Sequence, residues 1–163
     1  MGYAVTRIAA FLALVLAAPA SFAQDKPAPK DSAAIEKCVN GKTGRHWNWE
    51  SCIGLLSEPC SKDEGRLTDR QVIDCYDREL MVWDDMLNRS YQALLKALDS
   101  DQQEKLRDMQ RTWIASRDKT CEFLYHYFQG IMANPMIAAC KTRATARQAL
   151  YLRGFADDVR DRK

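Results

Sequence analysis

The chain has 163 residues, and its 24 Lys and Arg side chains nearly balance its 22 Asp and Glu side chains, which gives a formal net charge of +2 at pH 7. This balance argues against a nucleic-acid-binding protein, because such proteins usually carry a strongly basic face. The length suits one domain with a single hydrophobic core once a targeting segment is removed.

The N-terminus has the pattern of a secretory signal peptide. Arg7 precedes an unbroken apolar run from Ile8 to Ala18. This run, at about eleven residues, is far shorter than the roughly twenty residues that span a bilayer. Small residues at Ser21 and Ala23 match the positions that signal peptidase reads. We therefore predict a signal peptide over residues 1–23 and a periplasmic or secreted mature protein with no membrane span.

The cysteines all follow the predicted signal peptide. An even number in an exported chain predicts three disulfides. Six cysteines allow fifteen connectivities, of which the pairing of sequence neighbours is the simplest. No two cysteines form a C-x-x-C pair, and the chain has two histidines, so we expect no metal site and no cofactor. The six positions are Cys38, Cys52, Cys60, Cys75, Cys121 and Cys140.

The first part of the mature chain gives a weak structural signal. Residues 24–32 contain two prolines and two lysines and are expected to form a disordered leader. Residues 33–60 are interpreted as an N-terminal extension with short helices over 33–39 and 49–56, the second ended by a proline. Two tryptophans lie near the second helix, and we expect them to cover the core instead of forming a sticky loop: Trp47 and Trp49.

From Thr68 onward the helical signal is strong. Thr68 and Gln71 fit a capping box. Apolar residues then recur at three- and four-residue steps over residues 72–98, which predicts one amphipathic helix of about thirty residues. Ser100 offers the N-cap of a second helix, whose apolar stripe includes Phe128 and which should end near a glycine at position 130.

A third helix is predicted to begin with Asn134 as N-cap and Pro135 at the first helical position, and to run through Phe155. No segment alternates with a period of two for long enough to suggest a sheet. The predicted fold class is therefore all-α. We expect a small helical bundle over residues 61–163, built on a long antiparallel αα-hairpin plus a C-terminal helix.

Polar residues interrupt the apolar stripes of the two long helices. If the turn centres on residues 100–101, residues whose numbers sum to about 201 lie level across the hairpin. Asp84 is then level with Arg117, and we predict a charge-assisted pair because an unpaired buried guanidinium is strongly destabilising. This polar seam is interpreted as a register device, with ligand binding as the alternative, and no residue in it is a poised nucleophile. Its remaining members are Asn88, Tyr91 and Gln110.

These residues also carry a resemblance to a known family. The order Asp84-x-x-Leu87-Asn88-x-x-Tyr91 is followed by Gln110-x-x-Trp113-x-x-x-Arg117-Asp118-x-x-Cys121. Over roughly residues 60–153 this pattern resembles the lysozyme inhibitor LprI-like domain of exported bacterial proteins. The resemblance implies a mainly structural role for this signature.

The resemblance also implies the disulfide pairs Cys60–Cys75 and Cys121–Cys140, which leaves Cys38–Cys52 as an additional bridge in the extension. The chain departs from the family in the loop after the second long helix. Family members often have a glycine cluster there, whereas this chain has Gly130 alone.

For function, the resemblance implies a binding protein that inhibits c-type lysozyme. Because no poised nucleophile is found, we expect no enzymatic activity, and an enzyme acting on cell-wall material is the less favoured rival. An inhibitor of a cationic lysozyme should present complementary acidic surface. The best candidate for such an acidic face contains Asp74, Asp77 and Asp85. The alternative is a non-inhibitory module that binds a protein or glycan of the cell envelope.

Overall fold

The computed structural model of the chain describes residues 26–41, 49–62 and 66–162. These residues form five α-helices and no strand, which confirms the all-α prediction. None of the described helices is long and apolar enough to cross a membrane. The predicted signal peptide, the start of the leader and Trp47 lie outside the described residues. The helices are α1 (Pro29–Asn40), α2 (Ser57–Ser61), α3 (Asp69–Ala97), α4 (Ser100–Phe128) and α5 (Ala133–Asp161).

The N-terminal capping boxes of α3 and α4 follow from local sequence. The hydroxyl of Thr68 accepts a hydrogen bond from the backbone N–H of Gln71, and the Gln71 side chain accepts one from the Thr68 N–H, which confirms the predicted box. At α4 the N-cap is Asp99, not Ser100. Gln102 stands three residues after Asp99 and completes a reciprocal box with it.

The connection between α4 and α5 also differs from the prediction. Gln129 and Gly130 both have positive φ angles, of 49° and 132°, and reverse the chain after α4. Helix α5 begins at Ala133 with no side-chain cap. Asn134 therefore lies within the helix and is not its N-cap. Pro135 fits in the first turn because a backbone N–H has no intrahelical acceptor there.

The N-terminal extension is more ordered than predicted. Helix α1 starts at Pro29, so residues 29–32 do not belong to a disordered leader. Proline is favourable at the first helical position because its missing N–H has no partner there. The predicted helix over residues 49–56 is instead a 3₁₀ turn (Trp49–Cys52) followed by α2. Pro59 lies inside α2 and does not end the preceding helix.

The extension shares one hydrophobic core with the three long helices. Ile35 and Val39 of α1 are buried in the same cluster as Trp83 of α3 and Leu152 of α5. Trp49 packs against this cluster, as expected for a residue that covers the core. The extension therefore does not behave as a separate unit, even though its sequence signal is weak.

The principal helix interface is between α3 and α5. The hydroxyl of Thr142 donates to the backbone oxygen of Tyr76 at 3.1 Å, and the Arg153 side chain reaches the sulfur of Met86. In these two contacts the α5 residue lies 66 and 67 positions after its α3 partner, so both helices advance in the same direction and run parallel. Helix α4 runs antiparallel to α5 and contacts α3 far less. The end of α4 is poorly covered, and Phe128 is exposed instead of lying in the predicted apolar stripe.

Three disulfides link sequence neighbours, as the sequence favours. They join Cys38 to Cys52, Cys60 to Cys75, and Cys121 to Cys140. The first ties α1 to the 3₁₀ turn, the second ties α2 to α3, and the third ties the end of α4 to the start of α5. Each closes a short loop and stabilises the fold mainly by restricting the unfolded chain.

Candidate functional site

A groove between α3 and α4 brings the predicted polar seam together. Its volume is about 410 Å³, and it is open to solvent, since Asn88, Arg107 and Arg111 of its lining are exposed. It lies where the two helices diverge, because α3 packs mainly on α5. All five residues of the predicted seam line it. The lining residues are Asp84, Leu87, Asn88, Tyr91, Arg107, Gln110, Arg111, Trp113, Ile114 and Arg117.

The predicted ion pair between Asp84 and Arg117 is not formed. The Nε of Arg117 donates to Asp118 at 2.9 Å, and one of its terminal nitrogens donates to the hydroxyl of Thr145 at 3.3 Å. The guanidinium carbon also lies 5.0 Å from the ring centre of Trp113, a cation–π contact. Both residues nevertheless line the groove, as their predicted positions along the hairpin imply. The pair fails because α4 leans toward α5, so Arg117 finds its partners on α4 and α5.

The opposite wall of the groove has its own polar contact. The amide nitrogen of Asn88 donates to the carboxylate of Asp84 at 3.0 Å, one helical turn away. Asp84 is the one carboxylate among the groove-lining residues. A glycosidase needs two carboxyl groups flanking the bond that it cleaves, and this groove does not supply such a pair.

Several hydrogen-bond donors in the groove are unused. Gln110 is buried, and its amide oxygen accepts a 3.0 Å hydrogen bond from Gln148 of α5. The amide nitrogen of Gln110, the hydroxyl of Tyr91 and the indole nitrogen of Trp113 have no acceptor in the described part of the chain. No fully buried side-chain nitrogen or oxygen lacks a partner among the described residues, so these three donors reach solvent. The groove is therefore rich in donors and suits a ligand rich in acceptors.

The candidate acidic face is less negative than its sequence suggests. Asp74 pairs with Arg70 at 3.0 Å, and Asp85 pairs with Arg89 at 2.9 Å. Asp77 is half-buried, and burial raises its pKa, with the neighbouring charge of Asp74 raising it further. The structure thus brings Asp74 and Asp77 together, and cations on the same helix neutralise much of the face.

Glu79 is an important residue that the sequence reasoning missed. Its side chain is fully buried and accepts hydrogen bonds from the backbone N–H groups of Gly54, Leu56 and Ser57 at 2.7, 3.0 and 2.8 Å. It also accepts from the hydroxyl of Ser57 and from the indole nitrogen of Trp83. A signal existed, because Glu79 stands at helical spacing between two aromatic residues of the α3 stripe.

The extension is held to the long helices by ion pairs as well. Asp31 is buried, and a hydrogen bond and the charge of Arg78 lower its pKa. Burial acts to raise the pKa of Glu36, but hydrogen bonds from Arg89 and Arg153 outweigh it, so the net shift is downward. Among the residues that the structure describes, no group of three His, Cys, Asp or Glu side chains is placed to hold a metal ion.

A family model for the lysozyme inhibitor LprI matches residues 60–152. The match covers α3, α4, most of α5 and the two disulfides that the resemblance implied, together with all ten groove-lining residues. Neither the curated proteins nor the solved structures compared with the chain include a match. The family match covers more than half of the chain, and the chain therefore belongs to the LprI lysozyme inhibitor family.

Proposed function

We propose that the mature protein is exported and inhibits c-type lysozyme by binding to it. The observation that carries this proposal is the family match over residues 60–152. The three disulfides support export, because such bonds persist outside the reducing cytoplasm. They also make the helical scaffold rigid, which lowers the entropy lost when a partner binds.

The electrostatics of the structure bear on how such a complex forms. The predicted acidic face includes Asp74 and Asp85, and an arginine one turn away pairs with each. Steering of a cationic lysozyme by this face should therefore be modest, since the field at a distance depends on unbalanced charge. We infer that the affinity comes mainly from contacts at the interface and less from long-range attraction.

The direct test is a lysis assay. Mature protein from residue 24 onward is added to bacterial cells with a c-type lysozyme, and the fall in turbidity is followed at low and moderate salt. We expect slower lysis in proportion to the added protein, with a small loss of effect as salt rises. Protein with reduced and alkylated cysteines is the matched control. Unchanged lysis at a large molar excess would rule out inhibition of that lysozyme class.

The groove supports a second candidate function, the binding of an envelope glycan. Its free donors on Gln110, Tyr91 and Trp113 and its exposed arginines suit an acceptor-rich saccharide that bears a carboxylate. Such binding would need no lysozyme. Its presence would mark the protein as an envelope-binding module whether or not it also inhibits.

This second function is tested by titrating the protein with short cell-wall saccharides and following the NMR signals of the indole and side-chain amide groups. We expect shifts confined to the groove, which Arg111→Gln combined with Tyr91→Phe should abolish. Arg143→Gln, an exposed change on α5, is the matched control. Equal shifts in both proteins would show that the groove is not the site.

A further inference from the structure

The end of the bundle formed by the α4–α5 connection exposes an unusual amount of apolar surface. Ile131 and Met132 are each 73% exposed, Tyr127 is 68% exposed and Phe123 is 60% exposed. Isolated apolar side chains on a surface are ordinary, but a contiguous group of this kind marks an interaction site. We call this group the apolar tip, and its residues are Phe123, Tyr127, Phe128, Ile131, Met132 and Met136.

The apolar tip is cross-linked and contains packed aromatic rings. The disulfide between Cys121 and Cys140 joins its two flanks, with a Cα–Cα distance of 5.6 Å. Within it, the rings of Phe123 and Tyr127 lie 6.1 Å apart, and Tyr127 meets Phe128 edge to face at 4.8 Å. Aromatic side chains held in this way offer a large contact area at a small entropic cost.

The connecting backbone is also well bonded. The N–H of Gln129 donates to the oxygen of Tyr125 at 3.0 Å, and the N–H of Ala133 donates to the oxygen of Gly130 at 3.1 Å. The φ angle of Gly130 is +132°, a conformation that other residues rarely adopt. Gly130 and Gln129, which also has a positive φ angle, thus allow a tight reversal here, and the apolar side chains beside them are exposed.

Few carboxylates lie beside the apolar tip. Glu122, which precedes Phe123, is exposed, and no Asp or Glu then occurs in residues 123–156. The same stretch contains the exposed Arg143. A partner surface that carries carboxylates can therefore approach the tip with little like-charge repulsion.

We propose that the apolar tip enters the substrate cleft of the lysozyme; this inference rests on the proposed function and names its contact surface. A lysozyme cleft contains two catalytic carboxyl groups, one of which lies in an apolar, aromatic-lined pocket. An apolar tip whose own side chains carry no carboxylate is complementary to both features. The protein then inhibits by occupying the place of the glycan.

The first experiment compares variants in the lysis assay. Ile131→Asp and Met132→Asp place a carboxylate on the apolar tip at highly exposed positions, so the fold should be retained. We expect the concentration needed for half inhibition to rise by about tenfold or more for each variant. Tyr151→Asp, at another exposed apolar position on α5, is the matched control and should inhibit like the wild type.

The second experiment tests the cleft itself. Tri-N-acetylchitotriose, a trisaccharide that occupies the substrate cleft, is added while binding of the protein to lysozyme is measured by calorimetry. Competition is expected, with the apparent Kd rising in proportion to the trisaccharide concentration. Binding that the trisaccharide does not affect would overturn the proposal, because the tip and the glycan would then occupy different places.

The outcomes separate this inference from the proposed function. If the wild type inhibits and the tip variants inhibit equally well, the apolar tip is not the contact surface and the proposed function stands. If the wild type does not bind or inhibit lysozyme, both fail. If the tip variants change only self-association or binding to lipid vesicles, with inhibition intact, the apolar tip serves another partner and the proposal is wrong.

Discussion

The indole nitrogen of Trp83 donates a 2.8 Å hydrogen bond to the carboxylate of Glu79, one helical turn earlier on α3. The same carboxylate accepts hydrogen bonds from three backbone N–H groups at the start of α2 and in the turn before it. Two buried residues of α3 therefore hold the end of the N-terminal extension in place. Gly54 takes part with a φ angle of +92°, which turns its N–H toward Glu79.

Replacing Glu79 by Gln should destabilise the fold strongly. The amide group keeps one acceptor oxygen but faces N–H donors with an NH₂ group, which leaves buried donors unpaired. Each unpaired buried donor costs about 1–3 kcal/mol, so we expect a loss of about 3 kcal/mol or more in the free energy of unfolding. The free energy of unfolding is measured by urea denaturation, with circular dichroism as the probe. Glu104→Gln, an exposed change on α4, should have almost no effect, and equal stability of the two variants would contradict the role of Glu79.

The polar network of the extension shows what sequence periodicity does and does not reveal. The helices and the capping box at Thr68 were predictable because their signals are local. Glu79 was missed because a carboxylate at an apolar position is interpreted as solvated until its donors are known, and those donors are backbone groups about 25 residues away. The predicted pair of Asp84 and Arg117 failed for a related reason. Spacing gives the level of two residues along a hairpin, but the lateral separation depends on where α5 packs.

Arg117→Met tests whether Asp118 and Thr145, and not Asp84, hold the Arg117 side chain. Its partners are Asp118, which is partly exposed, and the buried hydroxyl of Thr145. Loss of these contacts and of the cation–π contact with Trp113 should cost about 1–2 kcal/mol. Asp84→Asn should cost much less, because Asp84 has no ion pair with Arg117. Chemical denaturation gives the free energy of unfolding of both variants. Equal losses for Arg117→Met and Asp84→Asn would indicate that the two residues do form the predicted ion pair.

The contact of Asp31 with Arg78 should make the extension sensitive to acid. The pKa of Asp31 is lowered in the folded state, so its stabilising effect is present above the unfolded value of about 3.9 and is lost as the pH falls through the folded value. Arg78→Met should therefore destabilise the protein more at pH 7 than at pH 2. Thermal unfolding at the two pH values gives the comparison.

The control for this prediction is Arg70→Met, which removes a cation from an exposed pair with Asp74. Exposed pairs contribute about 0–1 kcal/mol, so this variant should show little change at either pH. If the difference in melting temperature between Arg78→Met and the wild type were the same at pH 2 as at pH 7, Arg78 would act through packing and not through the charge of Asp31.

Asp77→Asn should stabilise the protein slightly at neutral pH. Burial and the charge of Asp74 raise the pKa of Asp77 in the folded state. The folded state then takes up a proton at higher pH than the unfolded state, so ionised Asp77 destabilises the fold above this range. The neutral amide removes that cost, and the melting temperature should rise at pH 7 but not at pH 3. Asp108→Asn, an exposed change, should show no such pH-dependent gain.

The disulfide at the base of the apolar tip gives the last prediction. Changing both Cys121 and Cys140 to Ala should lower stability by about 3 kcal/mol, from the lost constraint on the unfolded chain. At a temperature where the variant is fully folded, lysozyme inhibition should still weaken, because the apolar tip loses the link between its flanks and must be ordered on binding.

The double variant of Cys38 and Cys52 separates these two effects. That bridge lies in the extension, outside the family match, and its removal should cost a similar amount of stability without weakening inhibition in the folded protein. The comparison is made by measuring the half-inhibitory concentration of both variants well below their melting temperatures. If both lose inhibition to the same degree, the effect reflects overall stability and not the rigidity of the apolar tip. If only the Cys121 and Cys140 variant loses it, the third disulfide contributes to binding by keeping the tip in the shape that the cleft receives.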